Sequence, residues 1–328
     1  MESHFVTRYN RTVRELERSM TNQYAPQGVF APESAPVQTL SLAEEPEKFD
    51  KGRFVVGTLI GILAVHLLAL AAPFTFTWAG FGVFVGMLCM TSILGITLCY
   101  HRLLTHRSLE TSKALKYVFT FIACLALQGG PIRWVSTHRL HHSTTDKSAD
   151  PHSPMRGFLW SHLLWNFYRH PKLESLKDMN HYAPDLCKDR GFRFFEKYYA
   201  ALYLVCAALF FIVGTLIHGW QLGLSFVVWG FALRTVYTWH ATWLVNSASH
   251  LWGYRSYKTA DTSRNTWWVA LLTFGEGWHN NHHAHPHTAR MGYAWYEIDM
   301  TYWVIKLLQV LRLAHKVVPR PQPVQIIP

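Results

Sequence analysis

Charged residues leave two long gaps along the chain. From Phe54 to His101, 48 residues pass without an Asp, Glu, Lys or Arg, and from Tyr198 to Tyr254, 57 residues carry only Arg234. A helix that crosses a bilayer needs about 20 apolar residues, so each gap has room for two helices joined by a short turn. The pattern predicts helices over Phe54–Pro73, Trp78–Cys99, Tyr198–His218 and Leu222–Val245, paired as two hairpins. The links "PFTFT" and "GWQL" are uncharged, and Trp78 and Trp220 stand where interfacial aromatics belong. Two buried hairpins of a large soluble protein are the competing reading. Three further apolar stretches, Tyr117–Leu127, Gly157–Tyr168 and Tyr302–Leu313, are too short or too charged to span and predict interfacial or re-entrant helices. The segments "GTLIG" (57–61) and "GFGVFVG" (80–86) have the GxxxG spacing that lets membrane helices pack closely. No strand precedes them, so they are not a dinucleotide fingerprint.

The basic residues give the hairpins a direction. Of the 31 Lys and Arg, 7 precede the first gap, 15 fall in 99–197 and 8 in 255–328, while both turns have none. By the positive-inside rule both termini and the long middle segment face the cytoplasm. The net charge of +11 then belongs to one face, suited to anionic lipid or an acidic protein. No motif supports a nucleic-acid partner. Five cysteines without a CxxC pair fit a reduced compartment. Residues 1–50 read as a polar, partly flexible extension, 51–315 as the membrane domain and 316–328 as a tail. No cleavable signal is expected, because the first apolar run starts at residue 54. Glu2, Glu15 and Glu17 weigh against an organelle transit peptide.

Against this background the histidines are unevenly placed. Of 20, nine fall in four short clusters: His101 and His106 in "HRLLTH", His138, His141 and His142 in "HRLHH", His250 in "NSASH", and His279, His282 and His283 in "HNNHH". The topology drawn from charge puts all four on one side of the membrane. In HxxHH the i, i+3 and i+4 imidazoles share a helical face and serve either one metal or two adjacent ones. In HxxxxH the pair is about 140° apart on an ideal helix and converges only where the helix ends or distorts. Nine nitrogens exceed the needs of one tetrahedral or octahedral ion, so two metals with four or five histidines each is the economical count. Imidazole alone does not choose among iron, zinc, copper and nickel. His66 and His218 lie away from the clusters and read as packing or interfacial residues, and His152 and His240 are ambiguous. Pro286 interrupts the helical face ahead of His287, so His285 and His287 read as headgroup-facing or structural.

Taken together, the three boxes, "NSASH", "DPHSP" and "GEGWHNNHH" resemble the membrane-bound fatty acyl desaturases, nearest to the bacterial and plant acyl-lipid Δ9 branch, over roughly residues 50–315. The resemblance implies an all-α integral membrane protein with four transmembrane helices and a cytoplasmic helical cap holding a di-iron site. It implies an enzyme that uses O2 and two electrons to form a cis double bond near carbon 9 of a saturated acyl chain. Its iron ligands would be the nine clustered histidines, with Asn246 reaching one iron through water. Asp146, Asp150, Asp261 and Glu276 are candidates to orient the imidazoles. Gln128, Trp134, Thr242 and Trp243 match positions that line the bend of the substrate tunnel in relatives. Animal acyl-CoA enzymes carry Arg-Asp just before the first histidine of the second box; Ser136 and Thr137 stand there here, which favours a lipid-linked chain. No haem, flavin or iron–sulfur motif is visible, so electrons are expected from a ferredoxin or b-type cytochrome. The expected location is the bacterial inner membrane, with endoplasmic reticulum or thylakoid as alternatives. A hydroxylase sharing the boxes, and a metal transporter or sensor, are the rival functions.

Overall fold

Apolar residues dominate the outside of this molecule where a soluble protein would turn polar. Phe74 and Leu216 are 89% and 81% exposed. A computed structural model describes residues 50–320, which lie within one compact unit of the chain. The expected N-terminal extension as far as residue 49, and residues 321–328, lie outside the described residues. The fold is mostly helical: α1 Val56–Ala69, α2 Trp78–Cys89, α3 Lys113–Cys124, α4 Pro131–Thr144, α5 Phe158–His162, α6 Leu176–Tyr182, α7 Pro184–Lys188, α8 Arg190–Val227, α9 Arg234–Leu251, α10 Trp267–Leu272, α11 His279–Ala284 and α12 Met300–Val310. Two antiparallel pairs of two-residue strands complete it: β1 (Arg53–Phe54) with β3 (Tyr168–Arg169), and β2 (Glu110–Thr111) with β4 (Ala314–His315).

Two helices are long and apolar enough to cross a membrane, Trp78–Thr105 and Arg190–Leu251. Only 17% of the most apolar window of the second is buried, which the core helix of a soluble protein would not tolerate. That second helix doubles back on itself. His218 and Gly219 leave the helical region, with Gly219 at φ +81°, a conformation that favours glycine. The Tyr203 and Phe231 rings lie 5.4 Å apart, whereas 28 residues of straight helix would separate them by about 42 Å. The two arms touch at Gly214 and Gly223, where an added Cβ on Gly214 would lie 2.8 Å from the Gly223 Cα.

Several expected boundaries move. The first helix is shorter than Phe54–Pro73, because Phe54 pairs with Tyr168 in a strand and Pro73 belongs to a 3-10 turn, Ala72–Thr75. The second does not stop at Cys99 but continues as a π-helix, Met90–Thr105, whose last ten residues are all buried by protein. The third starts earlier, at Arg190, where the Asp189 carboxylate accepts the N–H groups of Gly191 and Phe192. The fourth runs through a π segment, Val228–Leu233, and on to Leu251, so Asn246 and His250 lie inside it. The expected close packing at GxxxG is absent at Gly57, Gly61, Gly82 and Gly86, which face open space. Close approach occurs at Gly80, Gly95, Gly214, Gly223 and Gly230 instead, because which face of a helix is buried depends on its neighbours.

The single charge in the second gap has a structural explanation. Arg234 is fully buried and donates to the carbonyls of Gly230 (3.0 Å) and Leu125 (2.7 Å). Leu125 caps the C-terminus of α3, where carbonyls point outward and a cation is favoured. Trp239 donates to the next carbonyls, Ala126 and Leu127. Helix α9 thereby grips the loop after α3, whose Leu127 and Gly129 have φ of +53° and +97°.

Gly95 seats the π-helix against α3: a Cβ there would meet the Ala123 Cα at 2.8 Å. Gly95→Val should destabilise the fold by about 1–3 kcal/mol through overpacking. The expected result is a lower midpoint of thermal unfolding for the detergent-solubilised protein, with Gly61→Ala, on an open face, unchanged or slightly raised.

Candidate metal centre

The π-helix resolves the geometry of HRLLTH. Residues five apart diverge on an α-helix, but the i→i+5 hydrogen bond of a π turn stacks them. The His106 N–H donates to the His101 carbonyl at 3.1 Å, and the two imidazoles lie 4.8 Å apart, edge to face. Helix α4 adds His138, His141 and His142, the last turn of α9 adds His250, and the short α11 adds His279, His282 and His283.

These nine histidines form two groups that could each hold a metal ion. His101, His106, His138, His142 and His282 make one, and His141, His250, His279 and His283 the other. Each HxxHH box is divided between the groups: His138 and His142 go one way and His141 the other, while His282 separates from His279 and His283. Within the first group Nε2 atoms meet at 3.1 Å (His101–His282), 3.0 Å (His282–His142) and 3.1 Å (His142–His138). In the second, His279 and His250 meet at 3.1 Å.

The donor set fits a divalent cation. Neighbouring nitrogens each about 2.1 Å from a shared ion, at right angles, lie about 3.0 Å apart. The Nε2 atoms of His106, His141 and His283 are buried without a hydrogen-bond partner among the described residues. On the far side of the rings, Nδ1 atoms face carboxylates. His141 Nδ1 is 3.0 Å from Asp150, His283 Nδ1 2.8 Å from Asp261 and His250 Nδ1 3.3 Å from Asp146. His101 Nδ1 contacts Glu276. A proton held on Nδ1 by a carboxylate leaves the Nε2 lone pair directed inward.

Protonation is arranged to match. Burial, reinforced by adjoining imidazoles, pushes His106, His138, His141, His142, His279 and His282 well below the ordinary histidine range. His283 is also lowered by burial, against the pull of Asp261. All seven are therefore neutral at physiological pH, the form a metal binds. Burial raises Asp150, whereas at the other three carboxylates burial acts upward but is outweighed. Bonds to His250 and Thr262 bring Asp146 to about 2, and His101 and Arg102 hold Glu276 below the carboxylate range.

Two parts of this arrangement were not legible as site residues in the sequence. His152 packs 4.3 Å from the His141 ring, and its backbone N–H donates to Asp150; the Asp-Pro-His spacing of such a turn is the available signal. Arg102, also buried, donates to Asp299 (2.9 Å), Glu276 (3.1 Å) and the Ala289 carbonyl (2.8 Å). Glu276 thus joins His101 to Arg102, and the clue is an arginine at the end of an apolar helix. His285 and His287 belong to neither group. His285 meets the Tyr257 ring edge to face at 4.9 Å, and His287 Nδ1 lies 3.1 Å from the His106 carbonyl. His66 is not isolated: its Nε2 meets His240 at 3.1 Å, away from both groups.

Two adjoining cavities lie beside the centre. The larger, about 230 Å³, is walled by Trp134, Trp165, Trp239, Thr242 and Trp243. The smaller, about 50 Å³, is bounded by His101, His138 and His279, so it touches both histidine groups. Trp134, His138, Thr242 and Asn246 line both. Gln128, in the wall of the larger, donates to Thr242 Oγ1 at 2.9 Å and accepts from Trp134 Nε1 at 3.2 Å. Thr137 lines the larger cavity, whereas Ser136 is buried against the Met179 carbonyl.

Known proteins with this pattern agree. An sn-2 palmitoyl-lipid 9-desaturase of Nostoc sp. (strain 36) is 48% identical over 257 residues, 78% of this chain and 87% of that protein. An sn-1 stearoyl-lipid 9-desaturase of Anabaena variabilis is 46% identical over 264 residues, covering 80% and 93%. An acyl-CoA 5-desaturase of Anemone leveillei is 45% identical over 256 residues, covering 78% and 77%. The fatty acid desaturase family model matches residues 76–308. With this family match, these relatives and two groups of histidines placed to hold metal, the chain is a member of the fatty acid desaturase family and an enzyme of that class.

Proposed function

We propose that this desaturase introduces a cis double bond near carbon 9 of a saturated acyl chain carried on a membrane lipid. The observation that carries the reading is the cavity bounded by His101 and His138 of one group and His279 of the other, which shares Trp134, His138, Thr242 and Asn246 with its larger neighbour. In this reading a saturated chain would bend beside Gln128, Trp134 and Thr242 to present one particular methylene pair there. Holding a chain in one reactive pose is itself a large part of catalysis. The relatives named as lipid 9-desaturases support the lipid carrier and the position. The Anemone relative, named for acyl-CoA, keeps the carrier open to test.

His101, His106, His138, His142 and His282 would hold one iron, and His141, His250, His279 and His283 the other. Asn246, on the wall shared by both parts of the cavity, would reach an iron through water. Two iron ions, when bound, supply oxidising power drawn from O2 and two external electrons. The chain's own residues do the rest. Asp146, Asp150, Asp261 and Glu276 keep protons on Nδ1, and the tryptophan-lined walls exclude water. In this reading the two hairpins make four spans with both termini and the site on the cytoplasmic side. Electrons arrive from an acidic ferredoxin or b-type cytochrome at the basic face.

Expression in cells lacking their own desaturase, followed by locating the double bond in each lipid class by mass spectrometry, is expected to show Δ9 monoenes in membrane lipids. Hydroxy acids without alkenes would make the enzyme a hydroxylase. Zinc in place of iron in protein prepared with both metals available would favour the transporter or sensor reading. His282→Ala should abolish unsaturation and lower bound iron, while His287→Ala keeps most of both; equal loss would remove the division drawn between these histidines. Asp261→Asn should fold normally yet bind iron about 10–100-fold more weakly, as measured by metal retention during dialysis. Donor-dependent turnover should fall as ionic strength rises, and a flat salt profile would exclude electrostatic docking.

A further inference from the structure

Three histidines outside both metal groups form a row that crosses three helices. His66 of α1, His240 of α9 and His162 of α5 are each half-buried. His66 Nδ1 lies 2.8 Å from the Ile62 carbonyl, and its Nε2 lies 3.1 Å from His240 Nε2. His240 Nδ1 is 2.9 Å from His162 Nε2, and His162 Nδ1 is 3.1 Å from Ser247 Oγ. The Ser247 hydroxyl also lies 2.8 Å from the Trp243 carbonyl. The row therefore runs from a carbonyl of α1 to the backbone of a residue in the wall of the larger cavity.

The order of donors along the row is set from one end. A carbonyl only accepts, so His66 carries its proton on Nδ1, and a neutral imidazole then offers only an acceptor at Nε2. His240 donates from Nε2, which leaves its Nδ1 to accept from the His162 Nε2–H. His162 Nδ1 is then an acceptor facing the Ser247 hydroxyl. Each ring is held at both nitrogens and cannot turn without breaking two bonds. None of the three lines either cavity. They stand behind Trp243, whose ring meets His240 at 5.1 Å and His162 at 5.9 Å, both edge to face. Trp243 also stacks on Trp239 at 5.8 Å, and Trp239 is pinned through its indole N–H to the Ala126 and Leu127 carbonyls.

We propose that His66, His162 and His240 are positioning residues that hold the Trp243 indole, and through it select the carbon pair of the acyl chain at which the double bond forms. They act through the wall and touch no substrate. Trp243 lines the larger cavity beside Thr242 and Asn246, which also line the smaller one at the two histidine groups. A misplacement of about 1 Å can cost a reaction on the order of a hundredfold, so a loosened indole would let neighbouring carbon pairs compete. The selection of a carbon pair rests on the acyl desaturase reading; the holding of Trp243 does not.

The test changes His240, the middle ring, in the full chain. His240→Gln keeps a donor and an acceptor in its amide, and His240→Leu keeps neither. The first readout is fluorine NMR of the metal-free protein in detergent, labelled with fluorotryptophan, where the Trp243 signal is the one lost in Trp243→Phe. His240→Leu is expected to shift or broaden that signal, and His240→Gln to leave it near its original position. The second is the double-bond position in lipids of cells lacking their own desaturase, with bound iron measured alongside. His240→Leu should raise the share of monoenes at minor positions at least about tenfold with bound iron unchanged, and His240→Gln should keep the original position. An unmoved Trp243 signal, or one unchanged position at lower yield, would overturn the proposal. If the parent chain forms no alkene, a moved Trp243 signal keeps the holding role and overturns only the desaturase reading. If His240→Leu loses iron or does not accumulate, His66→Phe decides, because it alters the ring at the far end of the row from Trp243: mixed positions support the row, and unchanged products overturn it.

Discussion

Nitrogen lone pairs brought within about 3 Å of one another repel unless a cation or a shared proton stands between them, and burial denies them water as a substitute. The histidines here sit in that position, with Nε2 contacts of 3.0–3.1 Å in both groups. Keeping them there requires two things. Rings must stay neutral, which burial and neighbouring imidazoles enforce at seven of them, and rings must be held in orientation, which at His250, His141, His283 and His101 is the work of Asp146, Asp150, Asp261 and Glu276 on the opposite edge. Much of the surrounding fold serves these two requirements.

The π-helix is one such adaptation. Its extra residue per turn carries His106 back over His101, and it persists because Arg102, immediately beside His101, is anchored by Asp299, Glu276 and Ala289. The loop after α3 is another. Arg234 and Trp239 hold its carbonyls from inside an apolar helix, and the loop in turn delivers Gln128 to the wall of the larger cavity. A charge that would be costly inside a membrane is tolerated because it satisfies a helix C-terminus. Helix α9 also carries Thr242, Trp243, Asn246 and His250, so residues of the cavity wall and of the second histidine group share one rigid element.

The two cavities are lined unevenly. His101, His138 and His279 bound the smaller, while Lys51, Arg133, Arg156, Arg169 and Asp50 are among the residues lining the larger. Trp134, Trp165, Trp239 and Trp243 also line the larger one, and aromatic walls of this kind suit an apolar ligand.

From the residues alone, the apolar gaps, the four histidine clusters, their fit to a metal site and the family could all be read, because these depend on composition and spacing within short segments. The four carboxylates facing Nδ1 were also named from their nearness in sequence. The partition of each HxxHH box between two groups was not readable, since i, i+3 and i+4 share a face on any helix and only the neighbouring helices decide which way each ring turns. Nor could spacing show that His101 and His106 converge, because the π turn is sustained by Arg102 and its distant partners. The GxxxG glycines misled for the same reason: a helix sequence states that a close approach is possible, and only the packed neighbours determine where it occurs.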